Sequence, residues 1–315
     1  MKLIITGALG HIGSYLISQL EKQSIKFDKI ILIDNLTSQR YSSLFNLSSS
    51  LHFEFYQEDV RFSKFDNILN NNDIVIHLAA ITNAAESFYN SDQVENNNFN
   101  STKNVADLCY KKKSKLIHIS STSVYGTQKN IVDENCDKTE LKPQSPYAST
   151  KLKEEDYLRK LFSKGLKGVI LRFGTIFGNS IGMRFHTAVN KFCLQSSLNL
   201  ELTVWRHSYH QKRPYLDIED AKNAIFHIIK RDLFNSEIYN VLTCNSTVAE
   251  IVKIIKKTRK LTKVKFVDNQ IMNQLSYEVC KNKFEKTNFI FKGNIENQIY
   301  KTLNQFSSIN NEYER

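Results

Sequence analysis

The chain has 315 residues and a mass of 36.5 kDa, with 43 Lys+Arg against 32 Asp+Glu and a formal net charge of +11. Ten glycines and three prolines fall well below the ordinary usage of roughly 7% and 5%, which excludes a collagenous chain, a Gly/Ser linker protein and a Pro-rich scaffold. No apolar run reaches the roughly 18 residues of a membrane span, and 41% hydrophobic content suits one large domain or two small ones.

The first half alternates strands and helices. Leu3–Thr6 reads as an apolar strand that turns at Gly7, too short for the apolar region of a signal peptide. Ile12–Gln23 has helical spacing, Ile30–Ile33 is a second strand ending at Asp34, and His52–Tyr56 a third. Asp73–Ala79 is a fourth strand, 92–112 a long helix, Lys115–Ser121 a fifth strand, 147–163 a second long helix and Gly168–Phe173 a sixth strand. Continuous apolar strands alternating with helices imply a parallel sheet covered on both faces. Right-handed crossovers make it a Rossmann-type doubly wound α/β sheet with its ligand site at the carboxyl ends of the strands.

Beyond residue 174 the pattern changes. Short apolar pieces (Leu200–Trp205, Pro214–Ile218, Ile238–Val241, Val264–Val267) sit between helices over Ala221–Lys230, Thr247–Lys257 and Ile295–Phe306. We read 1–174 as a dinucleotide-binding domain and 175–315 as a smaller mixed substrate lobe interleaved with it. Five cysteines, an odd number without a C-x-x-C pair, argue against a disulfide framework or a structural zinc site and fit a reducing cytoplasm. The basic run from Lys253 to Lys260 has no interleaved aromatic residues. It reads as a helix with Ile and Val inside and Lys outside rather than as a nucleic-acid surface.

Thr6-Gly7-Ala8-Leu9-Gly10-His11-Ile12-Gly13 lies between the first strand and the first helix. Gly7 suits a tight turn, Gly10 a close approach of backbone to a pyrophosphate, and Gly13 close helix–sheet packing. The helix start at His11 and Ile12 presents free N–H groups and a positive dipole to phosphates. Asp34, at the end of the second strand and followed by Asn35, suits the adenosine ribose hydroxyls. That favours NAD over NADP, although Arg40 lies six residues on.

Tyr147-Ala148-Ser149-Thr150-Lys151 places a phenol and an ammonium one helical turn apart. A free Tyr has a pKa of about 10, and a neighbouring cation favours phenolate, the base that alcohol oxidation needs. Ser121, at the end of the fifth strand, is placed to hold the substrate oxygen.

These motifs together resemble the extended short-chain dehydrogenases/reductases that act on nucleotide sugars, similar to UDP-glucose 4-epimerase. The resemblance implies an adenine contact at Asp59-Val60, a nicotinamide-side turn at His77-Leu78-Ala79-Ala80, and an Asn98 that fixes the local helix and Lys151 through water. It also implies that Ser120-Ser121-Thr122-Ser123-Val124-Tyr125-Gly126 is the catalytic strand end, with Thr122 on the substrate side. Sugar 4,6-dehydratases and decarboxylases of the family carry carboxyl groups where this chain has Thr122 and Ser123, so a 4-epimerase, or a C4 dehydrogenase or reductase, is the reading. Leu171-Arg172-Phe173-Gly174 resembles a segment whose usual Asn contacts the substrate diphosphate. Gly174 stands there, and Thr175 and Asn179 are candidates to compensate. Arg213, in Arg213-Pro214-Tyr215-Leu216, suits a diphosphate. His77 and His118 read as structural. The family implies a homodimer through helices 92–112 and 147–163. A non-catalytic dinucleotide-sensing regulator on the same fold could dispense with Tyr147 and Lys151, and their presence counts against it. No metal ligand set is expected.

Overall fold

The computed structural model describes residues 1–126, 131–137, 139–268 and 276–309. The first half alternates as expected: β1 (Lys2–Thr6), α1 (His11–Gln19), β2 (Lys29–Asp34), β3 (Phe53–Gln57), β4 (Ile74–His77), α2 (Ser91–Lys112) and β5 (Lys115–Ser121). A short β6 (Ile131–Val132) precedes α3 (Pro146–Phe162), β7 (Gly168–Phe173) and β8 (Thr175–Phe177). Then come α4 (Ala188–Ser197), β9 (Leu202–Trp205), β10 (Lys212–Asp217), α5 (Ile218–Arg231) and β11 (Ile238–Val241). The chain continues through β12 (Cys244–Thr247), α6 (Val248–Thr258), β13 (Val264–Val267), β14 (Glu278–Val279), α7 (Asn282–Glu285) and α8 (Ile295–Gln305).

Among the described residues, seven strands form one parallel sheet in the order β3-β2-β1-β4-β5-β7-β11. The order reverses between β1 and β4, and a doubly wound sheet opens its ligand crevice at such a point. Strands β1, β2, β4 and β7 are almost wholly buried, which is why their sequences read as continuous Ile/Val/Leu runs. One face packs on α1 and α5 through Leu16, Ile17, Ala224, Ile225 and Ile228. The other packs on α2 and α3 through Val105, Ala106, Leu158 and Leu161.

The remaining strands build smaller sheets. β10 pairs with β8 in parallel and with β12 antiparallel, and β13 pairs with β9. Phe177, Val189, Phe192, Leu202, Ile251 and Ile299 make a separate core there.

One expectation needs correction. Ile238–Val241, read as part of the smaller lobe, is the edge strand of the large sheet, in register with β7 from Ile170 to Phe173. Its burial on both faces makes four apolar-leaning residues look the same in either setting. The short strand β8 and the helix α4 have no counterpart in the sequence reading. Gly174, between β7 and β8, sits where the chain leaves the large sheet for the three-stranded one. A Cβ there would lie 3.1 Å from the Pro214 backbone, so a larger side chain would press on β10.

All five cysteines are free thiols, buried or half-buried. No helix among the described residues is long and apolar enough to cross a membrane.

Candidate active site

The glycine-rich turn is fixed by close packing. Gly7 has φ +65°, and a Cβ there would lie 2.6 Å from the Ala79 backbone nitrogen. Only a residue without a side chain lets β1 turn against the segment that follows β4. Gly10 caps α1 in extended backbone, so the first N–H groups of α1 face outward without helical partners. A second segment closes over this turn. The Gly182 N–H donates to Ser14 Oγ at 2.9 Å and the Arg184 N–H to His11 Nδ1 at 3.2 Å. His11 is buried, and burial with Arg184 and Arg40 holds it neutral, near pKa 3. Its ring braces the 182–184 segment rather than reaching toward a ligand.

Asp34 receives the Leu9 N–H (3.1 Å) and the Leu36 N–H (2.9 Å). Its carboxylate is thereby fixed at the carboxyl end of β2 with lone pairs still open. Asn35 accepts from the Thr37 N–H at 3.1 Å and from its hydroxyl at 2.8 Å. Asp59 is gripped by the Arg61 guanidinium, with contacts of 3.0 and 2.7 Å, and that grip is the largest influence holding its pKa low. The Val60 side chain belongs to the core, and its carbonyl accepts from the Asn104 amide at 2.7 Å. Asn98 spends its amide on Ile81, accepting from the N–H at 2.7 Å and donating to the carbonyl at 2.8 Å. It thereby fixes the turn after Leu78-Ala79-Ala80 by direct bonds.

The helix that carries Tyr147 and Lys151 starts on a strong signal. Ser145 caps α3 by accepting from the Ala148 N–H at 3.2 Å, and Pro146 occupies the first turn. A buried network anchors its far side. Glu155 takes two bonds from Arg172 (2.9 and 2.6 Å) and one from the Ser120 hydroxyl (2.6 Å). Arg172 also donates to Tyr125, which donates to Asn240. Helix α3 is thus tied to β5, β7 and β11.

Tyr147, Lys151 and Ser121 line one cleft of about 450 Å³ with Gly7, Gly10, Ile12, Gly13, Leu78 and Ala80. Thr122, Thr175, Arg184, Lys191 and Arg213 line the same cleft. Among the described residues that line it there is no Asp or Glu. Asn179 is not part of it; its amide donates to the Lys301 carbonyl, turned toward α8. The Thr122 hydroxyl donates to the Phe173 carbonyl at 3.2 Å. Arg213 donates to Gln211 Oε1 at 2.7 Å and to the Lys212 carbonyl at 2.9 Å.

The electrostatics correct one expectation. The Tyr147 hydroxyl, hydrogen-bonded with Ser121, is pushed above its ordinary pKa. Burial dominates, and the Glu154 carboxylate adds to it, while Lys151, Arg184 and Ser121 pull down. Lys151 therefore does not set the phenol alone, because Glu154 lies behind it. Lys151 Nζ is 2.9 Å from Glu154 Oε2, and both side chains are buried. Sequence reasoning passed over Glu154, though its signal was present: it follows Tyr147 by seven residues and Lys151 by three, on the same helical face. Arg184 brings its guanidinium within 3.6 Å of where a Gly10 Cβ would sit. Burial and then Arg40 lower it to about 10.

The family model of the NAD-dependent epimerase/dehydratase family matches residues 3–241. The chain belongs to that family. An ADP-L-glycero-D-manno-heptose-6-epimerase of Brachyspira hyodysenteriae is 27% identical over 84% of this chain and 83% of its own length. A Bacillus subtilis protein named as an uncharacterised UDP-glucose epimerase, YtcB, is 29% identical over 81% of each chain. In structure, the UDP-N-acetylglucosamine 4-epimerase of Methanobrevibacter ruminantium, solved with UDP-N-acetylmuramic acid, superposes with a TM-score of 0.84. It covers 98% of each chain at 24% identity, which shows the shared fold. In this epimerase/dehydratase family NAD is the cofactor, and the glycine cradle, in which a Cβ at Gly7 would strike Ala79, fits a dinucleotide.

Proposed function

We propose that the chain is an NAD-dependent nucleotide-sugar 4-epimerase. One observation carries the reading: Ser121, Tyr147 and Lys151 meet in a cleft whose described lining contains cations and hydroxyls but no carboxyl group. Eliminating water from a sugar calls for an additional acid and base beside the tyrosine, and the positions that would supply them hold Thr122 and Ser123. Withdrawal of a hydroxyl proton and transfer of hydride need only the three residues and the nicotinamide.

The relatives' names support a nucleotide-sugar substrate. In this reading Gly7, Gly10, His11, Ile12 and Gly13 cradle the pyrophosphate on the α1 amides. Asp34 and Asn35 take the adenosine ribose, Asp59 and the Val60 backbone border the adenine, and Leu78, Ala79 and Ala80 border the nicotinamide, braced by Asn98. NAD held there would supply the hydride acceptor and donor that the reaction needs. Tyr147 takes the C4 hydroxyl proton while Ser121 holds that oxygen, and Lys151 lends its charge to the phenolate and a hydrogen bond to the ribose. Arg213 faces the substrate diphosphate with Thr175 and Thr122 beside it, and Lys191 and Arg184 add positive charge to the lining of the same cleft.

The deciding experiment offers the purified chain a panel of nucleotide sugars and follows both epimer formation and 340 nm absorbance. A new C4 epimer without net NADH is the expected outcome. Absorbance rising in step with a keto product would make it a C4 dehydrogenase instead, and no turnover on any sugar would favour a dinucleotide-sensing role. Tyr147→Phe is expected to lower kcat at least about 100-fold, the usual scale of general acid–base catalysis; full turnover in that variant would sink the mechanism.

A further inference from the structure

An ammonium buried beside a catalytic phenol loses its hydration and tends to release its proton. Lys151 is 4% exposed, and α3 supplies an answer one turn away. Glu154 is fully buried, with Oε2 2.9 Å from Lys151 Nζ. His118 of β5 places Nε2 3.1 Å from the same oxygen. We propose that Glu154 is a positioning residue of the active site, a buried counter-ion that keeps Lys151 protonated and aimed at the Tyr147 side of the cleft. The proposal rests on the reading that Tyr147 and Lys151 carry the proton chemistry.

The titratable groups that act on this pair come from three elements. From α3 they are Tyr147 and Glu155, from β5 His118 and from β4 His77. Glu155 is committed to Arg172. Both histidines are fully buried and burial holds them below their ordinary range, so neither adds a fixed charge. His77 is further occupied by Thr6 at 2.7 Å and Thr102 at 3.2 Å, and its ring stacks on His118 at 5.8 Å. Glu154 is left as the one negative charge in this set not spent on another cation. Burial alone pulls Lys151 down, but Glu154 and Tyr147 outweigh it and its pKa stands above the ordinary value. Burial likewise pushes Glu154 up, and Lys151 with His118 reverse that to about 2. The pair is ionised throughout the neutral range. Its geometry differs from an exposed i,i+3 pair, whose charges water would screen.

The test is Glu154→Gln in the full chain, read by melting and by activity. Without the carboxylate, burial takes the folded Lys151 below its unfolded value while the unfolded chain stays ordinary. Between those two values the unfolded state holds the extra proton, so stability rises with pH there. The melting temperature of Glu154→Gln is therefore expected to fall well below that of the parent at pH 7, with the gap narrowing toward pH 10. A gap that stays constant with pH would reduce Glu154 to a packing role and overturn the proposal. In kcat/KM, Glu154→Gln is expected to lose activity on the alkaline side at least about one pH unit earlier than the parent, while Glu154→Asp keeps the parent profile. Should Glu154→Gln not fold, Lys151→Met/Glu154→Leu is compared with Lys151→Met. The double variant is expected to be the more stable because it leaves no uncompensated buried charge; the opposite order would overturn the proposal. The melting comparison needs no reaction, so a Tyr147→Phe variant that retains turnover would defeat the reaction reading and leave this one standing.

Discussion

Asp217 is the end of β10 and the cap of α5, where its carboxylate accepts from the Glu219 N–H at 2.9 Å. It is 4% exposed, and burial, with Asp220 and Glu219 nearby, raises its pKa from 3.8 to about 6 despite that bond. A carboxyl group raised on folding stabilises the chain while it is protonated. That contribution is complete below the unfolded value and is lost as pH rises through the folded one. Asp217→Asn keeps the cap without the charge. It is expected to melt a few degrees above the parent at pH 7.5, a gain on the order of 1–2 kcal/mol, with a smaller gap at pH 5. Thermal unfolding at the two pH values checks this; an equal gap at both would show that the carboxyl does not titrate in that window. The same distinction between type and setting decides what was legible at the site. Gly7, Gly10, Gly13, Ser121, Tyr147 and Lys151 could be read because their spacing is itself the signal, and the fold brings them to one cleft. Glu154 could not, because a Glu three residues after a Lys looks like a surface pair until β4 and β5 close over it. Asn179 sits differently: its amide faces α8, donating to the Lys301 carbonyl, and it does not line the cleft.

At the level of elements, hydrophobic period carried the first half. Strands buried on both faces and long helices between them were placed within one or two residues at most ends, with the larger difference at the end of helix α1. The second half holds strands of only two to six residues, too short for alternation to separate an edge strand of the large sheet from a strand of the small lobe, hence the misplacement of β11. Helix α4 carried its signal in Val189, Phe192 and Cys193, an i, i+3, i+4 pattern that buries against the lobe core, but flanking polar residues masked it. Helix α6 shows what fixes an element there. Thr247 caps it, with its hydroxyl accepting from the Glu250 N–H at 3.1 Å, and Glu250 Oε2 accepts from the Thr247 N–H at 2.9 Å. This reciprocal box, and an inward stripe of Ile251, Val252 and Ile255, make the Lys-rich run an amphipathic helix. Thr247→Ala is expected to destabilise the chain by about 1 kcal/mol. Urea unfolding would read this as a lower midpoint at unchanged slope; an unchanged midpoint would mean that the lobe unfolds independently of that cap.

For the molecule as a whole, the helices on one sheet face raise the question of partners. α2 and α3 lie side by side over Val105, Ala106, Leu158 and Leu161. Their outer ridge carries Phe99 against Tyr157, rings 5.8 Å apart, with Lys153 4.5 Å over Phe99 and paired with Glu95. Tyr110, further along α2, is 42% exposed. We propose that this ridge, within helices 92–112 and 147–163, is the contact of a homodimer, related by a twofold axis so that each copy offers the same aromatic patch. A net charge of +11 per chain sets two such copies against each other electrostatically. Association should therefore tighten as salt screens the repulsion over a Debye length of about 8 Å near physiological strength. Light scattering on the eluted protein is expected to give twice the 36.5 kDa chain mass at 150 mM salt, with a rising monomer fraction at 10 mM. Phe99→Asp, which places a carboxylate on the shared ridge, is expected to give the single-chain mass at both while leaving α2 folded, since Phe99 is only half-buried. A parent that elutes at single-chain mass across concentration and salt would remove the dimer. A dimer untouched by Phe99→Asp would move the interface to another face of the sheet.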